Sequence, residues 1–375
     1  MRRVFLTGAS GTIGSALVPR LLSTPDTLVC VLLRATDPDD LAHRLAGLRA
    51  RWGHGPGHPD AARVAALRGD ISQARLGLSQ ADWNTLAQDS THIIHCAASV
   101  KLNMSQEQAT ATAVAPTRTI LELARACATA GRLQKVDLVS TVGVWGRSPG
   151  VMPERRLPDV DSFHNTYEAA KAEAERIVWA EGGDLPITVH RPSMVVGETG
   201  TGAVIHFQVF YHLCEFLSGQ RTFGIMPTLG STRLDTVPVD WVAGAIAWAS
   251  GHPETAGRIL HLCSGPDHAI AITDLQQQVR QTWQARGRRL PRLRTLDRQW
   301  LERLVPLLGA LGGARARRAL RGLPPVLAYL AEAQGFSNTE TVRLLTSAGL
   351  PLPKVHDYLP AVLSYYLDEQ AARAA

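Results

Sequence analysis

An α/β protein built on a doubly wound parallel sheet, with a smaller, mainly helical carboxy-terminal lobe, is predicted by three observations. Short apolar runs alternate with helical segments through the first 196 residues, which is the pattern of parallel strands covered on both faces. A glycine-rich turn at Gly8–Gly14 joins the first apolar run to the first helix. Beyond about Val196 the alternation weakens and helical spacing dominates.

The elements follow in order. Arg3–Thr7 (RVFLT) reads as a buried strand, Ser15–Leu22 as an apolar helix and Thr27–Arg34 as a second strand. Leu41–Arg51 has helical spacing, and Val64–Leu67 is a third strand before Gly69-Asp70. His92–Ala98 is the fourth strand, Thr117–Ala130 a helix and Val136–Thr141 the fifth strand. Tyr167–Glu181 is a strong helix and Ile187–Arg191 a sixth strand. The division expected is 1–196 for a nucleotide-binding domain and 197–375 for a substrate lobe. Part of 230–265 is expected to complete the sheet.

The 375 residues are 45% hydrophobic and 19% charged, which excludes large-scale disorder. The five cysteines are scattered without a CxxC pair, so buried reduced thiols are expected rather than a disulfide framework. The glycine turn begins at residue 8, leaving no room for a secretory leader, and no run reaches the length of a membrane span. A cytoplasmic setting, or a peripheral one at a membrane, is the expectation. Net charge is +6, yet residues 286–321 alone carry +9 from eleven arginines, leaving −3 elsewhere. One local basic element is therefore expected, and no nucleic-acid partner. The Gly53–Pro59 loop holds His54 and His58 but reads as a surface loop, with no metal expected.

Because the turn lies between a strand and a helix, its glycines read as a dinucleotide fingerprint of the Rossmann type. Gly8 permits the tight turn, Gly11 lets backbone approach a pyrophosphate and Gly14 lets helix and strand pack closely. The helix N-terminus then offers N–H groups to phosphate. The second strand ends in Arg34, where an acid would suit NAD; an arginine suits the 2′-phosphate of NADP. Arg44 lies one helix later and can join it. Asp70 is placed to accept from the adenine amino group. The small residues after His95 let a cofactor lie flat against the backbone.

Tyr167 and Lys171 are four apart on one helix, hence on one face. A lysine ammonium and an oxidised nicotinamide both favour the phenolate and so lower a tyrosine pKa, and such a phenol can protonate a carbonyl oxygen as hydride reaches carbon. Thr141, at the end of the fifth strand, can bond the same oxygen. Ser140 should point to the opposite face.

Together these residues resemble the extended short-chain dehydrogenase/reductase superfamily: Thr7–Gly14, Gly69-Asp70-Ile71, His95–Ala98, Ser140-Thr141, Tyr167 with Lys171, and Arg191-Pro192-Ser193. The stretches 33–45, 69–100, 165–175 and 234–242 are similar to its fatty acyl-CoA reductase and thioester reductase branch, the male-sterility type. The resemblance implies catalytic roles for Thr141, Tyr167 and Lys171, and places Arg44 at the 2′-phosphate. It implies cofactor contacts from Ser10, Thr12, Ile13, Ile71, Ala97, Ala98, Lys171, Pro192 and Ser193 besides the glycines. The implied activity is NADPH-dependent reduction of an acyl thioester, on coenzyme A or a carrier protein, to aldehyde, with alcohol as the open second product. The alternative is an NADPH ketoreductase acting on a ketone, sterol-like or sugar-nucleotide substrate. One departure stands out: the branch's usual Asn-Val-x-Gly-Thr reads Ala113-Val114-Ala115-Pro116-Thr117 here. For the basic segment 286–321 three readings stand: a solvated helix face, a surface steering an anionic carrier or coenzyme A, and a membrane-surface contact.

Overall fold

The computed structural model describes residues 1–100, 104–229, 232–296 and 334–374. Seven strands form one parallel sheet: β1 (Arg2–Thr7), β2 (Thr27–Leu33), β3 (Val64–Arg68), β4 (His92–His95), β5 (Lys135–Val139), β6 (Ile187–Pro192) and β7 (Ile259–Leu262), in the order β7-β6-β5-β4-β1-β2-β3. The chain reverses direction across the sheet between β1 and β4, which pair with Thr7 opposite His95. Ligands of such sheets bind where the strand order reverses, outside the carboxyl ends of the strands. Every residue of β5 and β6 is buried, as expected of central strands covered on both faces.

One face is covered by α1 (Thr12–Leu22) and α7 (Val239–Ser250), the other by α3 (Gln80–Asp89), α4 (Gln106–Thr129) and α5 (Thr166–Glu181). Leu17, Val18 and Leu21 of α1 meet Val242, Ile246 and Ala249 of α7 in a fully buried layer. Each large apolar side chain there contributes roughly 1.5–3 kcal/mol. Helix α2 (Pro38–Arg51) covers the β2–β3 edge.

The carboxy-terminal lobe has its own core. In it α6 (Val209–Leu217), α8 (Ile272–Ala285) and α10 (Val355–Ala374) pack Phe210, Tyr211, Trp283 and Tyr358 together. Helix α9 (Thr339–Ser347) lies against β7 instead.

Helix α3 (Gln80–Asp89) was not marked in the sequence reading, and two other elements have different bounds. Helix α4 begins at Gln106, eleven residues before the expected start at Thr117. Pro116-Thr117 imitates a helix start, but the true start is a capping box: Ser105 accepts from Gln108 N–H, and the Gln108 side chain accepts from Ser105 N–H. Pro116 is tolerated inside the helix, and Thr117 Oγ1 donates to the Ala113 carbonyl beside it. The fourth strand stops at His95 rather than Ala98, because the chain there leaves the ladder to pass over Gly8. Among the described residues no helix is long and apolar enough to cross a membrane.

Candidate active site

The glycine turn is shaped for close approach. Gly8 has φ +83°, and a Cβ on it would stand 2.7 Å from the Ala97 nitrogen. A Cβ on Gly14 would run into the Gly8 carbonyl. Both positions therefore exclude any side chain. The α1 N-terminus at Gly11 has no side-chain cap, so its first N–H groups face outward, as an anion requires. Ala97 N–H donates to Thr7 Oγ1, which also bonds His95 Nδ1 at 2.7 Å. This cradle fits a dinucleotide pyrophosphate.

Away from the turn, Arg34 is exposed where β2 ends. Arg44 sits on α2 in an exposed pair with Asp40 at 2.8 Å; such pairs are worth only about 0.3–0.5 kcal/mol, so a phosphate can claim the guanidinium. Asp70 accepts through Oδ1 from Ser72 N–H and Oγ, which fixes the turn after β3. Ile71 packs against the sheet core.

A cavity of about 260 Å³ opens beside this turn, with mostly apolar walls. Thr12, Ile13, Ala98, Thr141, Tyr167, Lys171, Pro192 and Ser193 all line it. Gly8, Ser10, Gly11, Gly14 and Ala97 form the turn beneath and do not line it, and Arg34, Arg44, Asp70 and Ile71 lie apart from it. The structure thus brings the nucleotide-loop and catalytic candidates together and leaves the 2′-phosphate and adenine candidates at the far end of the sheet edge.

The two hydroxyls that end β5 diverge. Thr141 lines the cavity with Tyr167 and accepts from Gly143 N–H at 3.2 Å. Ser140 Oγ donates instead to Glu175 Oε2 at 3.0 Å. Glu175 in turn receives Arg191, through Nε at 3.1 Å and through Nη2. The pair is wholly inside the protein. Arg191 Nη1 also donates to His261 Nε2 at 3.1 Å, and His261 Nδ1–H donates to the Ser337 carbonyl at 2.7 Å. Burial and Arg191 push His261 down to about 3, so it is neutral.

Without the cofactor, burial decides the phenol's pKa. Burial, reinforced by Glu168, raises the phenol to about 12. Lys171 points its ammonium at the Val139 carbonyl, 2.8 Å away. Burial lowers Lys171 to about 8, against the opposing pull of Cys96 and Glu175. Desolvation disfavours both charged forms and is the largest cause of each shift. One outcome follows. The free enzyme loses the Lys171 charge as pH rises through about 8, so kcat/KM for the nicotinamide cofactor should fall across that range. Lys171→Arg should move the alkaline limb out of reach; a wild-type profile flat to strongly alkaline pH refutes it.

Several lining residues escaped the sequence reading. His164 and Glu168 share a hydrogen bond of 2.9 Å across one turn at the start of α5. Their i, i+4 spacing was the available signal. Asp235, half-buried and raised by desolvation, accepts from Ser264 N–H at 2.7 Å and Gly265 N–H at 2.9 Å. Arg233, Gln334 and Phe336 come from remote parts of the chain and carried no local signal. Gln208 Nε2 donates to Thr12 Oγ1 at 2.9 Å, and His206 Nε2 lies 3.3 Å from the Ser10 carbonyl, so the lobe touches the nucleotide turn directly.

In the histidine loop, His54, His58 and Asp60 offer ligand atoms within 4.8 Å of one another. Those donors are engaged locally: Asp60 pairs with Arg63, and His58 Nδ1 accepts from Asp60 N–H. Most of the basic segment, 297–321, lies outside the described residues. Within the part described, Leu290 and Leu293 pack on the lobe core. They are therefore not offered to a membrane, which corrects that reading for these two side chains.

A parallel sheet reversing at a glycine turn, with a Tyr-x-x-x-Lys helix facing a hydroxyl-ended strand, defines a nicotinamide-dependent oxidoreductase of the extended short-chain dehydrogenase/reductase class. The profile of the male sterility protein family, an NAD-binding family, matches residues 6–246, and the chain belongs to that family. It is 29% identical over 275 residues, 69% of its length, to the nonribosomal peptide synthetase asaC of Aspergillus flavus. It is 28% identical over 307 residues, 70% of its length, to fatty acyl-CoA reductase 1 of Xenopus laevis. The chain spans 26% of the first relative and 58% of the second. It is also similar to the terminal R domain from the myxalamid PKS-NRPS biosynthetic pathway, with 26% identity and a TM-score of 0.80, over 100% of this chain and 91% of that one.

Proposed function

We propose that the protein reduces an acyl thioester, carried on a pantetheine arm, with NADPH. The observation that carries the reading is the convergence of Thr141, Tyr167 and Lys171 on one largely apolar cavity beside the nucleotide turn. Its likeness to a synthetase, to an acyl-CoA reductase and to a terminal R domain supports the thioester as substrate.

Gly8, Gly11, Gly14 and the α1 N-terminus would hold the pyrophosphate, Arg34 and Arg44 the 2′-phosphate, and Asp70 the adenine. When bound, NADPH supplies hydride to the thioester carbon. Thr141 and Tyr167 donate hydrogen bonds to the oxygen on which charge develops. The high phenol pKa keeps Tyr167 protonated, so it has a proton to give that oxygen. Lys171 orients the nicotinamide ribose. The resulting hemithioacetal expels the thiol and leaves an aldehyde, which a second round converts to alcohol. The apolar walls exclude water from the reacting carbon.

The test follows NADPH consumption with one acyl group offered as pantetheine, coenzyme A and carrier-bound thioesters. One thiol released for each NADPH consumed if reduction stops at the aldehyde, or for every two if it runs on to the alcohol, is the expected result. Turnover of ketones but not of any thioester overturns it and favours the ketoreductase. Arg34→Glu should reverse the cofactor preference, weakening NADPH by about 10–100-fold through loss of one charge-assisted contact and leaving NADH little changed. An unaltered NADPH-to-NADH ratio removes Arg34 from the site.

A further inference from the structure

The turn after α6 presents an exposed aromatic side chain in a strained conformation. Phe223 is 86% exposed, with φ +53°. A bulky residue in the left-handed region is a backbone outlier, and an exposed phenyl ring gains nothing from the fold. Packing requires neither, which points to a use outside the fold.

Beside that turn runs a segment rich in arginine. Arg294 N–H donates to the Gly224 carbonyl at 2.8 Å, and the strand Arg294–Leu296 runs parallel to Ile225–Pro227. Gln220 Nε2 reaches the Arg289 carbonyl, and Arg280 ties Ser218 to Pro291 through their carbonyls at 2.6 and 2.9 Å. Leu290 and Leu293 turn inward to the core, while Arg289, Arg292 and Arg294 are exposed. Among the described residues no carboxylate pairs with these three. Arg221 and Arg286, by contrast, are engaged by Glu215 and Asp368.

We infer that this face docks an acidic protein domain that delivers the acyl thioester; the inference rests on the reading proposed above. A single exposed aromatic side chain on a turn whose neighbouring strand carries exposed arginines has the composition of a protein interface. The planar, weakly hydrated guanidinium suits carboxylates there. Helix α6 starts at the cavity wall with Val209 and ends at Leu217. Its nine residues span about 14 Å, so an extended pantetheine arm reaches from this face to the cavity.

The test uses the full chain, its triple variant Arg289→Glu/Arg292→Glu/Arg294→Glu, and Phe223→Ala. The probes are one octanoyl group carried on an acidic carrier domain, on coenzyme A and on free pantetheine. Both variants should raise KM for the carrier substrate about tenfold or more, which is the loss of a hot-spot contact, with kcat and the pantetheine KM unchanged. Added salt should raise the wild-type carrier KM but not that for pantetheine. Calorimetric binding of the loaded carrier should weaken in parallel. An unchanged carrier KM overturns the inference. Coenzyme A and carrier KM rising together also overturn it, since the patch is then a small-anion site. So does loss of binding to anionic vesicles with carrier kinetics intact. If the wild-type protein turns over no thioester at all, the reductase reading fails, while calorimetry still decides the docking face.

Discussion

Tyr167→Phe is expected to lower kcat for thioester reduction by about 10²–10⁴-fold, the usual worth of a positioned proton donor, with NADPH affinity unchanged. The phenol lines the cavity with Thr141 and is held protonated by burial, with a pKa of about 12. Removing one oxygen takes away both the proton and a donor to the developing oxyanion. Stopped-flow hydride transfer in the variant measures this directly, and a loss smaller than about tenfold would mean that another group supplies the proton. Thr141→Val provides the complement: it keeps the proton but removes one donor.

The second large effect is structural. Glu175 and Arg191 form a buried pair between α5 and β6, with Ser140 and neutral His261 completing their hydrogen bonds. Breaking such a pair from one side leaves an uncompensated buried charge and costs about 3–5 kcal/mol. Arg191→Ala and Glu175→Ala should each lower Tm by about 5–10 °C for a chain of this size. Replacing both partners with apolar residues should cost less than the two single losses together. Chemical denaturation of the four proteins closes this cycle; additive losses would show that the pair is not coupled. Glu175 lies one turn beyond Lys171, and Ser140 precedes Thr141. The single variants should therefore also disturb catalysis, more in kcat than in KM.

Much of this site was legible along the chain because its signals are local. Gly8, Gly11 and Gly14 work within one turn, and Tyr167 and Lys171 share one helix face. The alternating apolar runs marked all six strands before residue 192, since a central parallel strand must be apolar on both faces. The start of α4 was missed because Pro116-Thr117 gives a stronger local signal than the capping box at Ser105.

The sequence by itself determined the class of sheet, the nucleotide turn and the chemical partners on α5, because each depends on residues a few positions apart. Only the tertiary structure decided that Lys171 turns to Val139 and that burial raises the Tyr167 phenol of the free protein. It alone brought Arg233, Asp235, Gln334 and Phe336 to the cavity wall. It alone set the Phe223 turn beside an arginine-rich segment some seventy residues away. The reason is the same in each case. Desolvation and long-range contact are properties of what surrounds a side chain, and the surroundings are supplied by segments that the local pattern does not contain.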